Sequence, residues 1–304
     1  MRAMEETKIV IDRDLCSGCG LCVTVCPTGT ISLIEGKAAI SGEESISCGH
    51  CEAVCPQGAI RVLAINAEMS QYKTFTAEKQ WLPPGKYSTS SLVQLMASRR
   101  SCRCFTDQPV DRAMLEDLIK IGITAPSGTN SQAWTFTILP TRKAVTSFAG
   151  QIAAYFSRLN TTAEKTMLRM FLKLIGKGEL DAYYRGYYRK VKEALDQWHE
   201  SGKDRLFHGS TAAIIVGSKP GASCPAEDAL LATQNILLAA YSMGLGSCLI
   251  GYAVAAMKKD PLIQQYVGIP SEEKIHAVIA LGYFGEVYQR VAGRKKVIPR
   301  YFEG

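Results

Sequence analysis

Cys16-Ser-Gly-Cys19-Gly-Leu-Cys22-Val-Thr-Val-Cys26-Pro27 sets four cysteines within eleven residues, in the spacing C-x2-C-x2-C-x3-C-P. This is an iron-sulfur run: three thiolates on one short loop grip three irons of a cubane, and the fourth cysteine ligates a neighbouring cluster. Gly18 and Gly20 let the backbone curl close to the sulfides. A second run must therefore follow, and Cys48-Gly-His-Cys51-Glu-Ala-Val-Cys55-Pro56 supplies it. Cross-ligation assigns Cys16, Cys19, Cys22 and Cys55 to one 4Fe-4S cluster. The other takes Cys26, Cys48 and Cys51. Ser45 stands where the first cysteine of the second run is missing, so this site is expected to hold either a 4Fe-4S cluster capped by the Ser45 oxygen or a 3Fe-4S cluster.

Zinc ribbons also use paired C-x2-C, but four cysteines in so short a run exceed the needs of one tetrahedral ion. A disulfide framework needs an oxidising compartment, and Met1-Arg-Ala-Met-Glu-Glu6 does not read as a signal peptide. Seven of the eleven cysteines fall in the first 55 residues. That distribution is expected of a metal module in the reducing cytoplasm rather than of a disulfide-stapled chain.

The chain has 304 residues, 47% hydrophobic and 21% charged, which suits a globular protein of two domains. Its most apolar segment, Ile236 to Met257, is interrupted by Ser242, Gly244, Gly246, Ser247 and Gly251, and is not expected to span a membrane. The net charge of +7 is unevenly placed: residues 1–66 carry 5 Lys/Arg against 8 Asp/Glu, and the remainder is strongly basic. An acidic head on a basic body favours docking of the one on the other, and attraction of anionic cofactors. No basic run with interleaved aromatics points to nucleic acid.

Residues 1–66 read as a two-cluster iron-sulfur domain, with strands near Lys8–Ile11, across Ile31–Ile40 with a Glu35-Gly36 hairpin turn, and at Ala59–Leu63. Residues 67–90, containing Pro83-Pro84-Gly85 and Ser88–Ser91, read as a linker. The second domain, 91–304, opens with a helix through Leu92, Leu95 and Met96, and a second helix follows Asp111 as N-cap. The polar turn Ala125-Pro126-Ser127-Gly128-Thr129-Asn130-Ser131-Gln132 leads into a strand, Trp134–Leu139. Residues 150–206 are expected to be helical, with Thr161-Thr-Ala-Glu164 as a capping box and a stop at Gly176. There Tyr184, Tyr188, Val191, Leu195 and Trp198 form a stripe that packs on the core or lids a site. Ala212–Gly217 and Ala277–Gly282 read as strands. Glu227–Met243 reads as a helix apolar nearly all round, buried in a core or a subunit interface.

No G-x-G-x-x-G follows a strand, no P-loop is present, and the four histidines are scattered. What remains is cationic: Arg99, Arg100 and Arg103 at the start of the second domain, Arg294 and Lys296 near its end. Guanidinium groups hold a phosphate bidentately, and the hydroxyl- and amide-rich turn supplies hydrogen bonds, so a phosphate-bearing flavin suits the set.

Arg-Arg-Ser-x-Arg-x-Phe at 99–105, Ala-Pro-Ser-Gly-x-Asn-Ser-Gln-x-Trp at 125–134, Gly-Leu-Gly-Ser-Cys-x-Ile-Gly at 244–251 and the basic tail together resemble the FMN-dependent nitroreductase family over about residues 91–300. With the cysteine runs, the whole chain resembles the ferredoxin-nitroreductase fusions of that family. The resemblance implies an α+β fold, a mostly antiparallel sheet layered between helices, in a homodimer with two FMN sites at the interface. It implies that Arg99, Ser101, Arg294 and Lys296 hold the phosphate and that Arg103 lies near the N1/O2 edge. Pro126, Ser127, Gly128, Asn130 and Gln132 would line the ribityl chain and ring, and Leu249, Ile250 and Gly251 would face the ring through backbone groups. Two departures stand out: Ala133 replaces a proline, and Cys102 and Cys104 stand where the family has no thiols.

The function implied is reduction of nitroaromatics, quinones or similar electron-poor organics, the flavin carrying the chemistry, with electrons from NAD(P)H or reduced ferredoxin. Two rivals remain open: an electron-transfer hub without an organic substrate, and oxidation or rearrangement of a substrate on the same scaffold.

Overall fold

The computed structural model describes residues 9–304; Lys8 and the Met1–Glu6 segment lie outside them. The head is built of two similar halves. β1 (Ile9–Ile11) is followed by the one-turn helix α1 (Leu21–Thr24), the hairpin β2 (Ile31–Ile34) and β3 (Lys37–Ile40), a second short helix α2 (His50–Val54), and β4 (Ile60–Val62). β1 pairs antiparallel with β4, and β2 with β3. The hairpin turns at Glu35 (φ 53°) and Gly36 (φ 74°), the two left-handed residues that a two-residue turn between twisted strands demands. Each short helix starts after a left-handed glycine, Gly20 or Gly49. The head core is Ile9, Ile31, Ala38, Ile60 and Val62 packed directly on Cys16, Cys22 and Cys51, so the small core and the cysteine positions depend on each other.

The segment read as a linker is strapped to the body. The Lys73 and Thr74 amides both donate to the carboxylate of Asp117, and Lys120 Nζ donates to the Gln71 carbonyl at 2.6 Å. Burial alone would raise the Asp117 carboxyl, but the Lys73 and Thr74 donors outweigh it and hold the group below the usual carboxylate range.

In the body, α3 (Thr89–Ser98) and α4 (Arg112–Gly122) precede β5 (Trp134–Leu139), and Asp111 caps α4 by accepting from the Ala113 amide. Then come α5 (Arg142–Ala163), α6 (Thr166–Leu174), α7 (Glu179–Tyr183), a π-turn at Tyr184–Tyr188, and α8 (Arg189–Ser201). β6 (Ala212–Ser218), α9 (Pro225–Ser242), β7 (Leu245–Leu249), α10 (Gly251–Lys259), α11 (Pro261–Tyr266) and β8 (Lys274–Tyr283) complete it. The sheet order is β5-β6-β8-β7, antiparallel throughout.

All seven residues of β6 are buried because both faces are covered. Ala213 and Ile215 face a core shared with α5 and α10, while Ala212, Ile214 and Val216 face one shared with α4 and α9. The result is the α/β/α layering of an α+β fold.

One sequence expectation needs correction. Thr161–Glu164 starts no helix: Thr161 and Thr162 lie inside the last turn of α5, their hydroxyls donating back to Ser157 and Arg158 carbonyls, and Glu164 accepts from Tyr188. The glycine-containing run Leu245–Leu249 is the edge strand β7. Gly246 is required there because a Cβ would meet Cys102 Cβ at 2.8 Å. In α9, Ala229, Ala232, Ile236, Leu237 and Ala240 are buried in the core, while Leu230 and Leu231 are about half exposed (50% and 46%).

Candidate functional site

The structure gathers the cysteines in the two sets their spacing implies. One pocket is lined by Cys16, Cys19, Cys22 and Cys55, the other by Cys26, Ser45, Cys48 and Cys51. No three His, Cys, Asp or Glu side chains close on a single point among the described residues; a cubane instead spreads its ligands over different irons. Backbone amides already address the sulfurs: Ala38 N lies 3.4 Å from Cys16 Sγ, and Ala59 N lies 3.3 Å from Cys55 Sγ. The Ala38 and Gly18 amides hold the Cys16 thiol below its ordinary value. Burial would raise Cys26, but hydrogen bonding from Thr28 and Thr30 brings it down to about 7. Burial pushes Cys22 and Cys51 up. Gly18 cannot be replaced, since a Cβ there would lie 2.1 Å from the Gly36 carbonyl oxygen. The residues present fit iron-sulfur ligation.

At the far edge of the body, the segment after α3 lies along β7. Ser101 bridges Ser247, and the Cys102 amide donates to the Ser247 carbonyl at 2.9 Å. Phe105 bridges Phe284, packing its ring on Gly282, where a Cβ would lie 2.9 Å from it. This holds Arg99, Arg100, Ser101 and Arg103 against the strand that ends at Leu249.

Burial, then the neighbouring guanidinium charges of Arg100 and Arg294, keep Arg99 below the ordinary arginine range. Among the described residues these three arginines have no carboxylate partner, which suits an anion. Arg294 and Lys296 both lie exposed on the tail, and Arg294 Nη1 donates to the Ala292 and Gly293 carbonyls at 3.1 Å. Ser247 Oγ is buried with no hydrogen-bond partner. Beside it Ile250 starts α10 with no side-chain cap, leaving the Gly251 and Tyr252 amides without partners inside the helix. A cationic cluster, an unpaired hydroxyl and uncapped helix amides on one edge fit the phosphate and ring edge of FMN.

Cys102 is fully buried, its thiol 3.2 Å from the Cys104 carbonyl oxygen and pushed up to about 11 by burial. It packs as an inert hydrophobe, while Cys104 is exposed.

The turn 125–132 lies elsewhere. It leads into β5, at the opposite edge of the sheet from β7, about 14 Å away for three strand spacings. Thr129, Asn130 and Gln132 all adopt left-handed backbone (φ 50°, 52° and 45°). What stabilises this conformation is Asp228 in the first turn of α9, which accepts from the Gly128 amide at 2.9 Å and from Ser131 Oγ at 3.2 Å. Gln132 N donates to Ser127 Oγ, and Pro126 is exposed. Asn130 turns to the head: its Nδ2 donates to the carbonyls of Ile46 and Ser47. Sequence reading missed Asp228, because an acidic residue at a helix start is ordinary. It also missed Ser247 and the reach of Asn130 to the head.

A layered α/β/α body with an anion site beside an uncapped helix start, joined to a cysteine-lined head, defines an iron-sulfur flavoprotein. Residues 96–283 match the nitroreductase family and residues 9–32 a 4Fe-4S binding domain, so the chain belongs to the nitroreductase family as an FMN-dependent oxidoreductase with an iron-sulfur head. The second cysteine run lies outside the 4Fe-4S match.

An iodotyrosine deiodinase of Thermotoga neapolitana is 27% identical over 69% of this chain and 97% of its own length. A 4-nitrobenzoate reductase of a Nocardioides species is 23% identical over 62% and 78%. An FMN-bound nitroreductase from Bacteroides fragilis shares the fold, with TM-score 0.50 and 20% identity over 70% of this chain and 100% of its own. One from Desulfitobacterium hafniense does likewise at 0.50 and 22%, over 69% and 97%. Among the described residues no helix is long and apolar enough to cross a membrane.

Proposed function

We propose that the chain takes low-potential electrons at its head and delivers them to an electron-poor organic acceptor, a nitroaromatic, quinone or related ring, at its body. The observation that carries this reading is the pair of hydrogen bonds from Asn130 to Ile46 and Ser47. They seat the second cysteine pocket against the turn that the family resemblance assigns to the flavin. When bound, FMN supplies hydride and single-electron chemistry, and the clusters one-electron relay.

The protein's own work is then positional. Arg99, Arg100 and Arg294 hold the phosphate, with Ser101 beside them. The Gly251 and Tyr252 amides and Arg103 offer positive character where negative charge develops on the ring. Asp228 fixes the 127–131 backbone, and Asn130 fixes the head to it. The arginines and the turn occupy opposite sheet edges. A homodimer therefore suits the site, the turn of one protomer completing the pocket of its partner, with the exposed Leu230 and Leu231 of α9 available for contact.

The 4-nitrobenzoate reductase and iodotyrosine deiodinase relatives support an aromatic acceptor. Anaerobic mixing with NADH, NADPH or reduced ferredoxin, followed by a nitroaromatic or quinone, tests the reading. The flavin should bleach with a donor and recover its colour with the acceptor. Bleaching without recovery by any organic acceptor would favour an electron-transfer hub.

A further inference from the structure

A pocket of about 200 Å³ lies between α5 and α8, smaller than a drug-sized site and on the scale of a small organic molecule. Ile152 and Phe156 of α5, Leu195 and Trp198 of α8, and Tyr252 of α10 make its walls. Its two charged lining residues are Lys190 and Arg205, both at the exposed rim. The neighbouring charges of α8 are internally paired, Arg189 with Glu193 and Lys192 with Asp196. Among the described residues Lys190 and Arg205 have no carboxylate partner.

The rim is built rather than loose. The Asp204 carboxylate accepts from the Leu206 and Phe207 amides at 3.0 and 2.8 Å and pairs with Arg142 at 2.7 Å, which fixes the backbone on both sides of Arg205. Lys190 sits at the start of α8, directly after the π-turn, an irregularity that often accompanies functional sites. Tyr252 connects the pocket to the site already described. It follows Gly251, and its ring meets Phe156 edge-on at 5.6 Å and Tyr187 at 6.3 Å.

We propose that this pocket binds a small organic anion with a flat apolar body, an aromatic or alicyclic carboxylate. The body lies between Phe156 and Trp198 and the carboxylate between Lys190 and Arg205. Apolar walls take the ring by burial, and two unpaired cations at one rim select the acid over its neutral counterpart. As a redox acceptor this ligand rests on the proposed function and needs an electron-poor group, such as a nitro substituent, on its ring; as a ligand, it does not.

The test is calorimetric titration of the flavin-loaded protein with 2-naphthoate and with neutral 2-naphthalenemethanol. The acid should bind at least tenfold more tightly than the alcohol. Lys190→Gln with Arg205→Gln should remove that preference, and Ala194→Trp, which fills the pocket, should abolish binding. Ala153→Phe fills it from α5 and decides the matter if Ala194→Trp does not fold. Absence of saturable binding, equal affinity for acid and alcohol, or binding that survives the filling variant would overturn the assignment. Flavin bleaching by donors is read separately, so failure here and failure of the redox reading are distinguishable.

Discussion

Asn130 Nδ2 lies 3.1 Å from the Ser47 carbonyl oxygen and 3.0 Å from that of Ile46, so one side chain of the body grips the backbone just before Cys48. Gln132 Nε2 in turn donates to Asn130 Oδ1 at 3.0 Å, which fixes the amide with its donors toward the head. The head and the 125–132 turn are thereby held in one register.

Asn130→Asp should break that register, because a carboxylate offers no donor to either carbonyl and repels both. The two lost bonds are worth about 1–3 kcal/mol together. Stopped-flow bleaching of the flavin by reduced ferredoxin should slow, with iron content unchanged. An unaltered rate would show that the contact does not matter for transfer.

Arg99→Ala should weaken FMN binding about ten- to hundredfold, the loss of charge-assisted bonds worth about 1.5–3 kcal/mol. Fluorescence titration of the flavin-free protein measures it. Undiminished retention would move the phosphate away from Arg99.

The Ser45 corner should be labile. Its oxygen is a harder ligand than thiolate and must lose a proton to bind, and here its Oγ already accepts from the Ser47 amide at 3.1 Å. Brief air exposure should convert this site to a 3Fe-4S cluster on Cys26, Cys48 and Cys51, while the site on Cys16, Cys19, Cys22 and Cys55 persists. Low-temperature EPR and iron analysis report it, and Ser45→Cys should protect the site. Equal decay of both sites, unchanged by that substitution, would count against the ligand assignment.

The Asp117 strap should show in acid. Its folded carboxyl lies below the unfolded value of about 3.9, so its stabilising contribution is complete above that value and is lost as pH falls through the folded one. Asp117→Asn should lower unfolding stability by about 1.5–3 kcal/mol near neutral pH and flatten the acid limb of the stability profile. Denaturant titrations across pH measure both.

The sequence made the head legible down to its turn, because cysteine spacing and the Glu35-Gly36 pair each have one physical use. β5, β6 and β8 were legible as apolar runs between turn residues. β7 was not, since Gly246 makes room for Cys102, a contact made 144 residues away in sequence. The aromatic stripe was only half legible. Leu195 and Trp198 pack on the core as helical spacing implies, but the π-turn shifts the register upstream. Tyr184 instead stacks on Tyr188 at 4.8 Å and lies under Arg169. Asp117 and Asp228 were invisible for a shared reason: each accepts donors brought to it by the tertiary fold, whereas Asp204 caps its own local turn and is tied to the fold through Arg142.

The central claim is that electrons enter through the head. The most direct measurement is anaerobic stopped-flow bleaching of the flavin in wild type and in Cys19→Ala, with reduced ferredoxin and with NAD(P)H as separate donors. Cys19 is the exposed cysteine of the set Cys16, Cys19, Cys22 and Cys55. The substitution should slow reduction by ferredoxin severalfold or more and leave any direct reduction by NAD(P)H nearly unchanged. Equal loss with both donors, or no loss with ferredoxin, would contradict the account and leave the clusters a structural role.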